Sequence, residues 1–107
     1  MYMSYQSIAE KLSVLSDANR LEILDLLSCG ELCACDLLAH FKFSQPTLSH
    51  HMKVLVSHEF VMSRKVGNKR MYALNTSVFT EVKAALEQVS VPDTMCACHN
   101  MKSGVCE

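Results

Sequence analysis

Apolar side chains recur at every third or fourth position in five segments of the chain, and this spacing predicts amphipathic helices. The segments are residues 4–15, 17–28 and 32–40, a stretch that begins after Ser44, and residues 76–89. The pair Ser16-Asp17 and the residue Ser44 favour helix N-termini, and Pro46 fits the first turn of the helix that follows Ser44. The predicted buried side of that helix comprises Leu48, Met52, Leu55 and Val56.

Two short runs of β-forming residues follow this helix and flank a turn. FVMSRKV and RMYALN are separated by Gly67, Asn68 and Lys69, and glycine and asparagine are common in the turns of β-hairpins. The predicted fold class is therefore mainly α with a small β-hairpin. Two short helices joined by a tight turn and followed by a hairpin form a winged helix-turn-helix.

This order of elements indicates double-stranded DNA as the partner. The second short helix of such a unit enters the major groove, and the hairpin reaches neighbouring phosphates. The polar side chains that we expect to face the groove are Gln45, Thr47, Ser49, His50 and Lys53. The cations that we expect to contact phosphates are Arg64, Lys65, Lys69 and Arg70. His50 and His51 are also candidate metal ligands, but adjacent helical residues point about 100° apart and rarely share an ion. We therefore take both as DNA-facing, an arrangement that also allows one of them to pack inward.

The charge distribution agrees with a polyanionic partner. The formal net charge is −1, but the segment from Lys42 to Arg70 has six basic residues and one acidic residue, a local charge of +5. The 107 residues fit one domain, and half of them are hydrophobic, enough for a core. The N-terminal residues do not resemble a signal peptide, and no run approaches the roughly 20 apolar residues of a membrane span, so we expect a cytoplasmic protein.

The six cysteines fall into two clusters, one of Cys29, Cys33 and Cys35 and one of Cys96, Cys98 and Cys106. In a reducing compartment, clustered thiols are more often metal ligands or redox sensors than structural bridges. Cys29 also fits the role of a small buried hydrophobe. Because helical periodicity ends near residue 90, we divide the chain into a winged-helix DNA-binding and dimerisation domain, residues 1–91, and a cysteine-rich C-terminal tail, residues 92–107.

Cys33 and Cys35 lie two positions apart at the start of the predicted third helix. Helical residues with this spacing are about 200° apart and do not face each other. Two thiolates can therefore bind one ion only if the first turn unwinds or if Cys33 lies before the helix. A helix distorted by the ion would give the protein two conformations with different DNA affinity.

The motifs ELCACDL and SQPTLSHHMKVL resemble those of the ArsR-type (ArsR/SmtB) family of metal-responsive repressors, and LSDANRLEILDLL is similar to that family's second helix. The similarity covers roughly Leu12 to Val89. It implies a homodimer joined through the first and last helices, release of operator DNA on metal binding, and no catalytic activity. The apolar residues that we expect at the dimer interface are Tyr5, Leu12, Phe79, Val82 and Leu86.

The arsenite-responsive members of that family also carry ELC-x-CDL, so the resemblance implies As(III) or Sb(III) as the inducer. Many of them complete a trigonal thiolate site with a cysteine three residues further on, where this chain has Leu38. We therefore expect a tail thiol to join Cys33 and Cys35. The candidates are Cys96, Cys98 and Cys106, which also have the number of thiols for a site of their own. Thiol-only ligand sets favour soft ions, and pyramidal As(III) fits three thiolates.

Other functions remain open at this point. Cadmium- and lead-responsive relatives share the C-x-C but add cysteines from an N-terminal extension, and no cysteine precedes Cys29 here. Four thiolates with His99 would suit Zn²⁺. Close cysteines would also permit a thiol redox switch on the same scaffold. A zinc-binding interaction module conflicts with the polar helix face and basic hairpin, and an enzyme conflicts with the lack of a phosphate loop or catalytic triad.

Overall fold

The computed structural model describes residues 3–91, and the order of its elements confirms the winged helix-turn-helix prediction. The elements are α1 Tyr5–Leu15, α2 Ala18–Leu27, β1 Leu32–Cys33, α3 Ala34–His40, α4 Gln45–Ser57, β2 Val61–Val66, β3 Lys69–Leu74 and α5 Thr76–Ser90. The predicted tail, with Cys96, Cys98 and Cys106, lies outside the described residues. Within residues 3–91, no helix has the length and apolar character needed to cross a membrane.

Side-chain caps begin three helices, and the caps of α2 and α4 lie where the sequence predicted them. The Ser4 hydroxyl accepts a hydrogen bond from the Ser7 amide at 3.1 Å, before α1. The carboxylate of Asp17 accepts bonds from two backbone amides at 2.9 and 3.1 Å, before α2. The Ser44 hydroxyl accepts a bond from the Thr47 amide at 3.3 Å, and proline lies in the first turn of α4. Each bond satisfies an amide that has no partner inside its helix.

The predicted third helix starts two residues later than expected. Leu32 and Cys33 form a short strand that pairs antiparallel with β3, with Leu32 opposite Tyr72 and Cys33 opposite Met71. The strand order is β1-β3-β2, so the wing is a three-stranded sheet rather than a hairpin alone. The cause is a pairing with residues about 40 positions away, which helical periodicity does not report.

The core lies between the helices and the base of the wing, and its most buried large side chains are Ile23, Leu37, Leu55, Phe60 and Val61. Val82 is also buried there, so the prediction that it serves the dimer interface is wrong for this position. Phe79 is half-buried, with its ring centroid 5.2 Å from that of Phe60. Tyr5, Leu12 and Leu86 are exposed in the single chain.

Candidate nucleic-acid interface and thiol site

Helix α4 separates an apolar side from a polar side. Leu48, Met52 and Leu55 are buried, as the spacing predicted, and Val56 is half-buried. The predicted base-reading side chains are all exposed: Gln45, Thr47, Ser49, His50 and Lys53. Donors and acceptors are thus available along one side of a helix whose other side is anchored in the core, which suits a major-groove helix.

His51 is the histidine that packs inward, while its neighbour His50 is exposed. Its ring lies 5.5 Å from that of Phe43, and its Nδ1 is 3.5 Å from a guanidinium nitrogen of Arg20. Burial lowers the pKa of His51, and the nearby Asp17 carboxylate opposes this only in part. A neutral imidazole therefore helps to seat α4 against the start of α2.

Alternation along the two long strands of the wing divides its cations between two faces. Register places Ser63 opposite Tyr72 and Lys65 opposite Arg70, and these pairs share one face. We call this set the groove face: Ser63, Lys65, Arg70 and Tyr72. The other face, the cysteine face, comprises Cys33, Arg64, Lys69 and Met71.

A groove runs between α4 and the groove face of the wing. Its lining includes Ser49 and Lys53 from α4 and Ser63, Arg70 and Tyr72 from the sheet. Arg70 donates a hydrogen bond to the Ser63 hydroxyl at 3.4 Å. Two cations and two serine hydroxyls along one groove are suitable donors for a nucleic-acid backbone. Sequence reasoning missed Ser63 and Tyr72, although two-residue alternation counted from Lys65 gives Ser63 and counted from Arg70 gives Tyr72.

Arg64 lies on the cysteine face, away from the groove. Its guanidinium makes a bidentate pair with Glu31, with Nε to Oε2 at 2.8 Å and a terminal nitrogen to Oε1 at 2.7 Å. The hydrogen bond from Arg64 lowers the pKa of the Glu31 carboxyl. Among the predicted DNA contacts, Arg64 is the one that has an acidic partner within residues 3–91. Sequence reasoning missed Glu31 as this partner.

Cys33 begins α3 as its N-cap. Its sulfur accepts a hydrogen bond from the Asp36 amide at 3.3 Å, and the Asp36 carboxylate accepts one from the Cys33 amide at 3.0 Å. This reciprocal arrangement is a capping box. Cys33 therefore lies before the helix, which is the second of the two conditions for sharing an ion with Cys35. The helix does not have to unwind for the pair to meet.

The sulfur atoms of Cys33 and Cys35 are joined as a disulfide, with their Cα atoms 5.3 Å apart. Cys33 is buried and Cys35 is exposed. Within residues 3–91, these two sulfurs and the Asp36 carboxylate form the group of three potential ligands that lie within 4.8 Å of one another. The set has two soft donors and one hard donor, and Asp36 was not among the predicted ligands.

Leu38, at the position that the family resemblance associates with a third cysteine, is partly buried against the core. Cys29 is exposed and unpaired, so it is not the buried hydrophobe that its residue type also allowed. It does not belong to the group of Cys33, Cys35 and Asp36. A third soft donor is therefore not present at this group within the described part of the chain.

Comparisons with known proteins agree with this architecture. Residues 17–63 match the family described as bacterial regulatory proteins of the arsR family. The arsenical resistance operon repressors of Staphylococcus xylosus and Staphylococcus aureus are 62% and 57% identical to the chain, and each match covers 97% of the chain and 100% of the relative. An ArsR-like transcriptional regulator from Rhodococcus sp. RHA1 has a TM-score of 0.73 at 27% identity, over 80% of this chain and 81% of that one. The chain belongs to the arsR family of bacterial regulatory proteins.

Proposed function

We propose that this chain is a repressor that binds operator DNA as a dimer and releases it when As(III) or Sb(III) binds Cys33 and Cys35. The identity with two proteins named arsenical resistance operon repressors supports the repressor role and the class of inducer. The observation that carries the inducer site is the adjacency of two cysteine sulfurs at the start of α3. Thiolates are soft ligands, which suit these metalloids better than hard cations.

Arsenic(III) forms three bonds in a pyramid, and each As–S bond replaces an As–O bond with release of one water. The α3 site supplies two thiolates in its reduced form, because a disulfide has no thiolate to offer. The carboxylate of Asp36 is a harder donor and a poorer third ligand. We therefore assign the third bond to a tail thiol of the same or the partner subunit, from Cys96, Cys98 or Cys106.

The DNA interface that we propose combines α4 with the wing. The exposed α4 side chains read base edges, and Lys53 and Arg70 contact a phosphate strand in the groove between helix and sheet. Lys65 and Lys69 extend this contact at the wing tip. Arg64 is removed from the predicted set, because Glu31 already occupies its guanidinium.

A dimer completes this interface. The exposed apolar side chains of α1 and α5, namely Tyr5, Leu12, Leu86 and Val89, support a second copy as their partner. Two α4 helices about 34 Å apart would then read two half-sites one DNA turn apart. Sedimentation at micromolar concentration tests this part, and a monomer that still binds operator tightly would contradict it.

The inducer site is tested by operator binding with and without arsenite, on a duplex that the protein selects from a random pool. Release by an inducer typically corresponds to about 1–3 kcal/mol, or a 5- to 150-fold loss of affinity. The Cys33→Ser/Cys35→Ser variant should bind operator normally and lose this response, while Cys29→Ser should keep it. Truncation after Val91 should weaken the response.

Two outcomes would reject parts of this proposal. If the Cys33→Ser/Cys35→Ser variant responds fully and the truncated protein does not respond, the three tail cysteines are the sensor. If both variants release operator as the natural sequence does, or if the natural sequence does not respond, the chain is not an arsenite-responsive repressor of this kind.

The disulfide between Cys33 and Cys35 favours a second candidate function, a redox-switched repressor of the same fold. A peroxide would oxidise the two thiols to the disulfide, and a dithiol reductant would restore them. Loss of operator binding with peroxide, recovery with reductant, and no effect in Cys33→Ser/Cys35→Ser would support this function. Operator affinity unchanged by peroxide would reject it.

A further inference from the structure

The ion pair between Glu31 and Arg64 lies between the thiol site and the wing. Glu31 is two residues before Cys33, the N-cap whose sulfur belongs to the ligand group. Arg64 is opposite Met71 in the sheet, and Met71 is opposite Cys33. Cys33, Met71 and Arg64 therefore form one row across three strands, and the ion pair joins β2 to Glu31, the residue that directly precedes β1.

We propose that the Glu31–Arg64 pair is a positioning element that transmits occupancy of the thiol site to the wing. This inference rests on the proposed function and adds the contact through which the two sites communicate. The residues act through the sheet and touch neither the metalloid nor the DNA.

The geometry of the pair suits this task. Its two parallel hydrogen bonds define both the distance and the orientation between Glu31 and Arg64. Strand β1 has only two residues, so its own ladder bonds hold it weakly to β3. When Cys33 shifts to bond a metalloid, β1 can move alone unless a second contact couples it to β2.

The backbone of β2 links Arg64, on the cysteine face, to a cation on the groove face. Lys65 follows Arg64 directly on β2, and its side chain lies on the groove face opposite Arg70. A displacement of β2 through Arg64 therefore changes the position of the cations that we assign to the DNA backbone. Inducer binding on the cysteine face thus causes a loss of phosphate contacts on the groove face.

The test measures the ratio of operator affinities without and with saturating arsenite. Glu31→Gln removes the charge that holds Arg64, and Asp25→Asn, at an exposed position in α2, is the matched control. The side chains of Arg64 and Glu31 are 65% and 29% exposed, so the pair is partly screened. We expect the ratio to fall about fivefold in Glu31→Gln, the upper range for an ion pair near the surface, and to stay unchanged in Asp25→Asn.

The charge-reversed variant, Glu31→Arg with Arg64→Glu, should recover most of the ratio. Arsenite stoichiometry, measured by loss of titratable thiols, should be the same in all variants. If the natural sequence responds to arsenite and Glu31→Gln responds equally, the coupling role is wrong while the proposed function stands. If Glu31→Gln loses the response and the charge-reversed variant does not recover it, the pair is not the coupling contact. If the natural sequence itself does not respond, the proposed function fails first.

Discussion

The two faces of the wing sheet have the same number of cations and use them differently. On the groove face, Lys65 and Arg70 stand opposite each other, and Arg70 lines the groove against α4. On the cysteine face, Arg64 is paired with Glu31 and Lys69 lies at the tip. The dipeptides Arg64-Lys65 and Lys69-Arg70 each place one cation on either face, because successive residues of a strand point in opposite directions.

This difference shows that a cluster of positive charge in a sequence is not one functional unit. The net charge of +5 between Lys42 and Arg70 describes the segment as a whole. The structure separates cations that border a groove from one that an acidic residue already holds. Strand register and nearby carboxylates therefore divide the candidate phosphate contacts into groups that charge density alone does not distinguish.

The largest expected effect concerns the groove face. Lys65→Ala/Arg70→Ala should lower operator affinity by about 150-fold or more, since each charge-assisted hydrogen bond contributes about 1.5–3 kcal/mol. The slope of log K against log salt should fall by nearly two units, or about 0.9 for each phosphate contact. Arg64→Ala is the control, because it removes a cation of the same sheet from the opposite face. If Arg64→Ala changes the salt slope by as much per removed charge, the two faces of the wing do not differ in their contact with DNA.

The next largest effect, on the stability of the fold, is expected from the turn between β2 and β3. Gly67 has φ +60 and lies in the two-residue turn that the register pair Val66 and Lys69 encloses. Gly67→Ala should destabilise the fold by about 1–2 kcal/mol, because a side chain disfavours this left-handed backbone. A Cβ there would meet no atom within 4 Å, so the cost is conformational. Urea unfolding should give Gly67→Asn a smaller loss, and equal losses for both variants would contradict this cause.

Removing the capping carboxylate of α3 tests whether residues near the cysteine face contribute to stability alone or also to DNA binding. Asp36→Ala removes the carboxylate that accepts the Cys33 amide, and we expect a loss of about 1 kcal/mol in unfolding free energy. Operator affinity of the folded variant should not change, since Asp36 lies away from the groove. Asp25→Ala in α2 serves as the control in the same urea titration. A weaker operator complex in Asp36→Ala would show that DNA contacts extend to the thiol side.

The smallest effect concerns the inner side of α4. The lowered pKa of His51 means that the unfolded chain, with a value near 6.5, takes up a proton more readily than the folded one. Stability should therefore be fully present above the unfolded pKa and fall as the pH decreases below it. Unfolding at about pH 7.5 and about pH 5.5 should show this loss, and His51→Gln should reduce it. An unchanged pH dependence in His51→Gln would assign the effect to other groups.

Local chemistry accounts for what the sequence predicted well. The caps at Asp17 and Ser44 were correct because a cap bonds to amides two or three residues away. The buried stripe of α4 that includes Leu48 followed from helical spacing. These features depend on neighbouring residues, which a single sequence displays directly.

Features that depend on distant residues were missed. Strand β1 exists because Leu32 and Cys33 meet residues 71–72, and Glu31 meets Arg64 across 33 positions. Val82 looked available for a dimer because apolar spacing does not distinguish a core position from an interface position. A single sequence does not show which distant segments meet, so these contacts become visible only in the folded structure.

The unequal exposure of the two cysteines at α3 has a kinetic consequence. Cys35 is open to solvent, whereas Cys33 is only 5% exposed. If arsenite binds this pair as we propose, it would meet Cys35 first in the reduced protein, and Cys33 would close the chelate afterwards. The rate of capture would then depend on the outer thiol. A small alkylating reagent should accordingly label Cys35 well before Cys33, and bound arsenite should protect both.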